Sequence, residues 1–78
     1  MTDAYVLAKV EAGLDEEILK QVKKMPGVKH VTPTYGIYDL HVEVSFDTME
    51  ELDKFMFQGI RRIPGVKDTV TLIAPKVV

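Results

Sequence analysis

Hydrophobic and polar positions alternate most cleanly over residues 38–46, where Tyr38, Leu40, Val42, Val44 and Phe46 interleave with Asp39, His41, Glu43 and Ser45. A period of two over nine positions predicts a strand with one face on a core and one more polar. Ala4-Tyr5-Val6-Leu7-Ala8-Lys9-Val10 is apolar on both alternating faces until its end, the pattern of a central strand covered on two sides, and Gly13 stops it. The period then changes. Leu14, Ile18, Val22 and Met25 recur at helical spacing, with Glu17, Lys20, Gln21 and Lys24 on the other face. Asp15 is the expected N-cap, and Asp15-Glu16-Glu17 puts negative charge on the positive end of the helix dipole. Lys23-Lys24 followed by Pro26-Gly27 ends the helix.

Val28 to Tyr35 reads as a second strand. Pro33 lies inside it, and a residue with no N–H to give to a ladder belongs on a sheet edge. Gly36 and Ile37 leave room only for a tight turn, so the strand that follows runs antiparallel beside it. Thr48-Met49-Glu50-Glu51 is a capping box, with Asp47 an alternative cap. Met49, Leu52, Phe55, Met56, Ile60 and Ile63 form the buried stripe of the second helix, which Arg61-Arg62 and Pro64-Gly65 end. Val66 to Ala74 is the last strand, alternating Val70, Leu72 and Ala74 with Thr69, Thr71 and Ile73, and Pro75 closes it.

The run Lys23-Lys24-Met25-Pro26-Gly27-Val28-Lys29 returns as Arg61-Arg62-Ile63-Pro64-Gly65-Val66-Lys67. One repetition is too few for a solenoid, so a strand–helix–strand unit is used twice to close one small domain over residues 1–78. Two right-handed split βαβ units give the α+β, ferredoxin-like βαββαβ fold: a four-stranded antiparallel sheet in the order 4-1-3-2 with both helices on one face. With Tyr38, Leu40, Val42 and Val44 toward the helices, the open face carries Asp39, His41 and Glu43 beside Tyr5, Leu7 and Ile73. A half-apolar sheet face of this kind is commonly covered by a second copy, giving a dimeric α/β sandwich.

Composition narrows the function classes. In 78 residues only a little over ~60% of the unfolded surface can be buried, and with no cysteine to form disulfides the expected extra support is oligomerisation. Absence of cysteine also removes thiolate metal sites and a Cys nucleophile and fits a reducing, cytoplasmic setting. Ten basic against twelve acidic residues give a net charge of −2, with no basic block longer than a pair. Direct binding to nucleic acid, which needs a basic stripe, is therefore not expected. No stretch approaches the roughly 20 apolar residues that span a bilayer, and Met1-Thr2-Asp3 does not open a signal peptide. His30 and His41 lack a third ligand at metal-site spacing, the phosphate-loop and hydrolase motifs are absent, and no metal, cofactor or catalytic residue is assigned. Tyr5 among Asp39 and Glu43 is also a poor base-stacking platform.

With Ala4-Tyr5-Val6-Leu7, Gly36-Ile37-Tyr38-Asp39-Leu40, and Ile63-Pro64-Gly65-Val66 leading to Thr69-Val70-Thr71, the chain resembles the effector-binding (RAM) domain of the Lrp/AsnC family of transcriptional regulators from Ala4 to Ala74. The resemblance implies homodimers that pair through their sheets and assemble further, often into rings of eight. It also implies a free amino acid bound at subunit interfaces, and co-assembly with full-length regulators. By matching position, Gly36, Ile37, Tyr38 and Asp39 form the effector-contacting turn, and Thr69, Val70 and Thr71 the strand that completes the pocket from a neighbour. The family's N-terminal helix-turn-helix has no counterpart in these residues, so a stand-alone effector domain is expected.

The residues themselves leave other readings open. An amino acid needs an ionised acceptor for its ammonium and backbone N–H groups for its carboxylate, and Asp39 beside Gly36 offers both. Equally, Gly36 can serve only as a positive-φ turn residue and Asp39 only its own backbone, while alternating threonines are ordinary strand formers. A small dimeric enzyme on the same fold would use His41, Glu43 and Tyr5 as acid/base groups. An ACT-like amino-acid sensor shares the topology, and fold alone does not separate the three.

Overall fold

In a computed structural model that describes residues 2–74, the chain runs β1 (Thr2–Val10), α1 (Asp15–Lys23), β2 (Val28–Pro33), β3 (Leu40–Phe46), α2 (Met49–Lys54) and β4 (Val66–Ala74). Between α2 and β4 the helix continues as a π-helical turn, Phe55–Gly59, and a 3-10 turn, Ile60–Arg62. The strands lie in the order β2-β3-β1-β4, all neighbours antiparallel, with Pro33 on an edge as its missing N–H requires. Pro75 lies outside the described residues.

One core joins sheet and helices. Ala4, Val6, Ala8 and Val10 of β1 and Leu40, Val42 and Val44 of β3 are buried against Ile18, Val22, Leu52, Phe55, Met56 and Ile60. The small β1 residues face large helix residues, which lets the layers approach closely at interior density. Both helices end by the same device. Met25 and Ile63 carbonyls accept from Val28 N–H and Val66 N–H at 3.3 and 3.1 Å, across Gly27 and Gly65 with φ of +87° and +99°. The Gly27 carbonyl then accepts from Ser45 N–H at 2.9 Å and the Gly65 carbonyl from Glu11 N–H at 2.7 Å. The sequence repeat is thus a structural repeat: each Pro-Gly turn is stitched to the segment beside it.

Four expectations need correction. Leu14, not Asp15, is the N-cap of α1, and no side chain caps it: Leu14 N–H donates to the Glu11 carbonyl at 3.0 Å and its own carbonyl accepts from Ile18 N–H at 2.9 Å. Asp15 is thereby drawn into the first turn. At α2, Thr48 Oγ1 accepts from Glu51 N–H at 3.2 Å, but the reciprocal half of the capping box is not formed among the described residues. The β2–β3 connection is longer than a tight turn, because β2 ends at Pro33 and β3 begins at Leu40. Residues 34–39 form a loop clasped at its base by Thr34 N–H donating to the Asp39 carbonyl and Thr34 Oγ1 donating to the Tyr38 carbonyl, both at 2.8 Å.

The fourth correction concerns the open face. Tyr5 pairs with Leu72 and Glu43, and Leu7 with Val70 and His41, so these share the face away from the helices. Ile73 pairs with buried Ala4 and therefore turns toward the helices, with Thr71 opposite Val6 and Thr69 opposite Ala8. A one-residue choice of this kind inverts every side chain of the strand. Across the open face, Tyr5 and His41 rings stack with centroids 5.4 Å apart, and His30 Nε2 lies 3.7 Å from Glu43 Oε2.

Candidate functional site

Asp39 is the hinge of the loop 34–39. Its N–H donates to the Ala8 carbonyl at 2.9 Å, and its Oδ2 accepts from Val10 N–H at 2.9 Å. The β1–β3 ladder ends at the pair Ala8–Leu40. The Asp39 carboxylate therefore extends it by one side-chain rung, where β1 kinks at the irregularity between Lys9 and Val10. Among the described residues only Oδ2 is engaged, which leaves Oδ1 of a fixed, partly buried carboxylate to accept from a ligand cation.

Beyond Asp39 the loop is open. Gly36 has φ of +125°, and a Cβ built there would meet nothing within 4 Å. The N–H groups of Gly36, Ile37 and Tyr38 find no acceptor among the described residues. Neighbouring N–H donors beside a fixed carboxylate suit the two ends of a zwitterion: the donors take an anionic carboxylate and Oδ1 an ammonium.

The remaining sequence-assigned residues lie across β1. Leu40 and Thr69 both pair with Ala8, so the loop end and β4 stand about two strand spacings apart, or about 10 Å. Within one chain the loop residues Gly36 to Asp39 and the strand residues Thr69 to Thr71 are therefore not brought together around one small ligand. They also divide among themselves. Val70 lies on the open face beside Leu7, whereas Thr69 and Thr71 line a groove of about 480 Å³ between β4 and α2.

That groove escaped the sequence reading. Met49, Leu52, Met56, Phe57 and Ile73 supply its apolar surface, and Asp53, Arg61, Lys67 and Asp68 its charged margin. Met56 and Phe57 belong to the π-helical turn, Phe55–Gly59, that continues α2 along the groove. Phe57 is held at the surface with the Arg61 guanidinium 5.2 Å from its ring centroid, and its carbonyl accepts from Arg62 Nε at 3.3 Å. Met49, assigned to the buried stripe by helical spacing, instead forms part of the exposed groove wall. The only advance signal was Phe57, an aromatic residue off the apolar stripe.

Among the described residues no set of three His, Asp or Glu side chains is placed to hold a metal ion, and no helix is long and apolar enough to cross a membrane.

Comparison with known proteins places this geometry. The model of the Lrp/AsnC ligand binding domain matches residues 3–78. The HTH-type transcriptional regulator FL11 of Pyrococcus horikoshii is 38% identical over 73 residues, covering 94% of this chain and 48% of that protein. The chain thus spans about half the length of the curated relatives it matches. Among solved structures, TTHA0845 from Thermus thermophilus superposes with a TM-score of 0.95 at 32% identity, covering 100% of this chain and 98% of that one. The transcriptional regulator NMB0573 from Neisseria meningitidis, solved as an L-Met complex, shares the fold with a TM-score of 0.86 at 21% identity, over 96% of this chain and 50% of that one.

Proposed function

The chain belongs to the Lrp/AsnC ligand-binding domain family of transcriptional regulators, and from that premise we propose that residues 1–78 form one regulatory module that binds a free α-amino acid between subunits of a homo-oligomer. The observation that carries this reading is the loop 34–39: a carboxylate pinned to β1 by Oδ2, followed back along the loop by the N–H groups of Gly36, Ile37 and Tyr38, with neither Oδ1 nor these N–H groups partnered among the described residues. Asp39 would accept the ammonium and the loop N–H groups the carboxylate. Thr69 and Thr71 face a groove about two strands away, so their contribution would come from a neighbouring subunit, with Val70 in the sheet-to-sheet contact. The L-Met complex of the Neisseria regulator supports an amino acid as the ligand class.

Sheet-to-sheet pairing is supported by Tyr5, Leu7, Val70 and Leu72 on one unpartnered face, with Leu72 51% exposed. The module carries no assigned catalytic residue, metal or cofactor. Its function would be to convert amino-acid binding into a change of assembly, alone or mixed with full-length regulators, since a ligand shifts an equilibrium only by its differential affinity for the two states. The unfolding midpoint measured with each of the twenty amino acids in millimolar excess tests the reading. Ligand at about 100 times its Kd adds roughly 2.7 kcal/mol, and each kcal/mol moves the midpoint of a domain this size by about 4–8 °C. A shift of that size confined to one chemical class of amino acid supports the sensor reading; no shift with any of them overturns it.

A further inference from the structure

We propose that β4 is a docking edge for an extended segment of another protein, which adds to it as a fifth strand and sets alternate apolar side chains into the groove between β4 and α2. This site is separate from the loop 34–39 and needs no amino-acid ligand.

The direction of the backbone groups fixes which bonds are open. Asp39 N–H donates to the Ala8 carbonyl and Val10 N–H to the Asp39 carboxylate, so the even-numbered residues of β1 turn their N–H and C=O groups toward β3. Tyr5 and Leu7 therefore bond to β4, where they pair with Leu72 and Val70. Thr69, Thr71 and Ile73 point theirs away from the sheet. Thr69 N–H is taken by the Asp68 carboxylate at 2.9 Å, as an outward N–H can be. Those of Thr71 and Ile73 stay open, because β4 has no second neighbour in the sheet among the described residues.

The two edges of the sheet differ. β2 has six residues and includes Pro33, which has no N–H to give, whereas β4 has nine and no proline. Beneath β4 the same Thr69, Thr71 and Ile73 face one flank of α2 and the turn after it, formed at helical spacing by Met49, Leu52, Asp53, Met56 and Phe57. Helix and strand do not close on each other there: Met49, Phe57 and Ile73 are 49%, 59% and 46% exposed. A helix laid into the groove would cover these side chains and leave the edge N–H groups unmet. An extended segment meets both.

The charges give the segment a direction. β3 and β4 run parallel, each antiparallel to β1, and α2 carries the chain back between them, so the start of α2 lies beside the end of β4. Asp53 therefore marks the Ile73 end of the groove, and Arg61 and Lys67 the other, where Asp68 is already used by Thr69 N–H. None of Asp53, Arg61 and Lys67 forms an ion pair among the described residues. An antiparallel fifth strand, the more stable pairing, enters over Asp53 and leaves over Arg61 and Lys67. Its matching sequence is basic at its start, apolar at alternate positions and acidic at its end. A second copy of β4 is a poorer occupant, because it would bring only Thr69, Thr71 and Ile73 to a groove of about 480 Å³. Where a neighbouring subunit draws on Thr69 and Thr71, segment and neighbour compete for β4, which makes docking a control on assembly.

The probe is a fluorescently labelled, capped peptide of about seven residues, lysine first and glutamate last, with valine at the positions facing the groove and threonine between. It is expected to bind the wild-type protein, read by anisotropy. N-methyl groups on the amides that face β4 are expected to weaken binding about tenfold for each hydrogen bond lost, and N-methyl groups on the other amides to leave it unchanged. Thr71→Pro removes an outward N–H and spares the bonds that Val70 and Leu72 make to β1, so it is expected to keep the fold, by circular dichroism, and lose the peptide. No binding at millimolar peptide, equal binding of the two N-methylated forms, or a folded Thr71→Pro protein that still binds overturns strand addition. So does a reversed peptide, glutamate first and lysine last, that binds as tightly as the probe. A peptide copying residues 68–74 of this chain that binds more tightly than the probe gives the edge to a second copy and overturns the proposal.

Discussion

The carboxylate of Asp39 accepts from Val10 N–H at 2.9 Å, a bond between residues 29 positions apart that continues the β1–β3 ladder after the backbones have diverged. The residue with the best claim to hold a ligand ammonium therefore also holds the end of a central strand. Binding at Oδ1 would be read directly by β1.

Asp39→Ala removes the acceptor of a partly buried N–H, which costs about 1–3 kcal/mol. Asp39→Asn keeps an oxygen for Val10 N–H and discards the charge. In thermal unfolding the alanine variant is expected to lose stability and any amino-acid response together, and the asparagine variant mainly the response. Equal responses in wild type and Asp39→Asn would remove the carboxylate from the ligand site.

Gly27→Ala is expected to be the most damaging glycine substitution. Its Cβ would lie 2.2 Å from the Phe46 ring, at φ of +87°, whereas a Cβ on Gly13, at φ of +89°, meets nothing within 4 Å. Left-handed backbone costs an L-residue about 1–2 kcal/mol, and overpacking adds typically about 1–3 kcal/mol. Denaturant midpoints of the two alanine variants should differ by the packing part alone; equal midpoints would mean that Phe46 moves aside freely.

Thr48→Ala deletes the acceptor for Glu51 N–H and is expected to cost about 1 kcal/mol. Asp15→Ala, at the helix start where the side chain makes no capping bond, is expected to cost only the dipole contribution of about 0.3–1 kcal/mol. Urea titration of both variants checks the order, and a larger loss for Asp15→Ala would return the cap to that residue.

Leu72→Glu places a charge on the β4 side of the face proposed for sheet pairing, where the neighbouring Tyr5 and Val70 offer no counter-charge. Sedimentation is expected to show a monomer, with an unfolding midpoint that no longer rises with protein concentration. An assembly state unchanged by Leu72→Glu would assign the dimer to another surface.

The order of elements, the edge position of Pro33 and the helix stops were legible because each rests on chemistry within a few residues. A missing N–H, a positive-φ glycine after proline and a period of two or 3.6 are local facts, and the repeat of Met25-Pro26-Gly27-Val28 in Ile63-Pro64-Gly65-Val66 stated the symmetry outright. The buried face of β3 could be read for the same reason, since Leu40, Val42 and Val44 have no comparably apolar set on the opposite face of that strand.

What the tertiary structure alone decided lies where the sequence pattern points the other way or the contact is distant. In β4 the more apolar alternating set, Val70, Leu72 and Ala74, would by pattern face the core, yet the pairing of Ala4 with Ile73 and Leu7 with Val70 sends Thr69, Thr71 and Ile73 to the helix side and Leu72 to the open face. The Asp39–Val10 bond reaches across a whole helix and a strand of intervening chain, and no local rule extends that far. The groove that takes in Met49 and Phe57 depends on how α2 and the turn after it seat beside β4, because packing, and not residue spacing alone, decides which flank of a helix is covered.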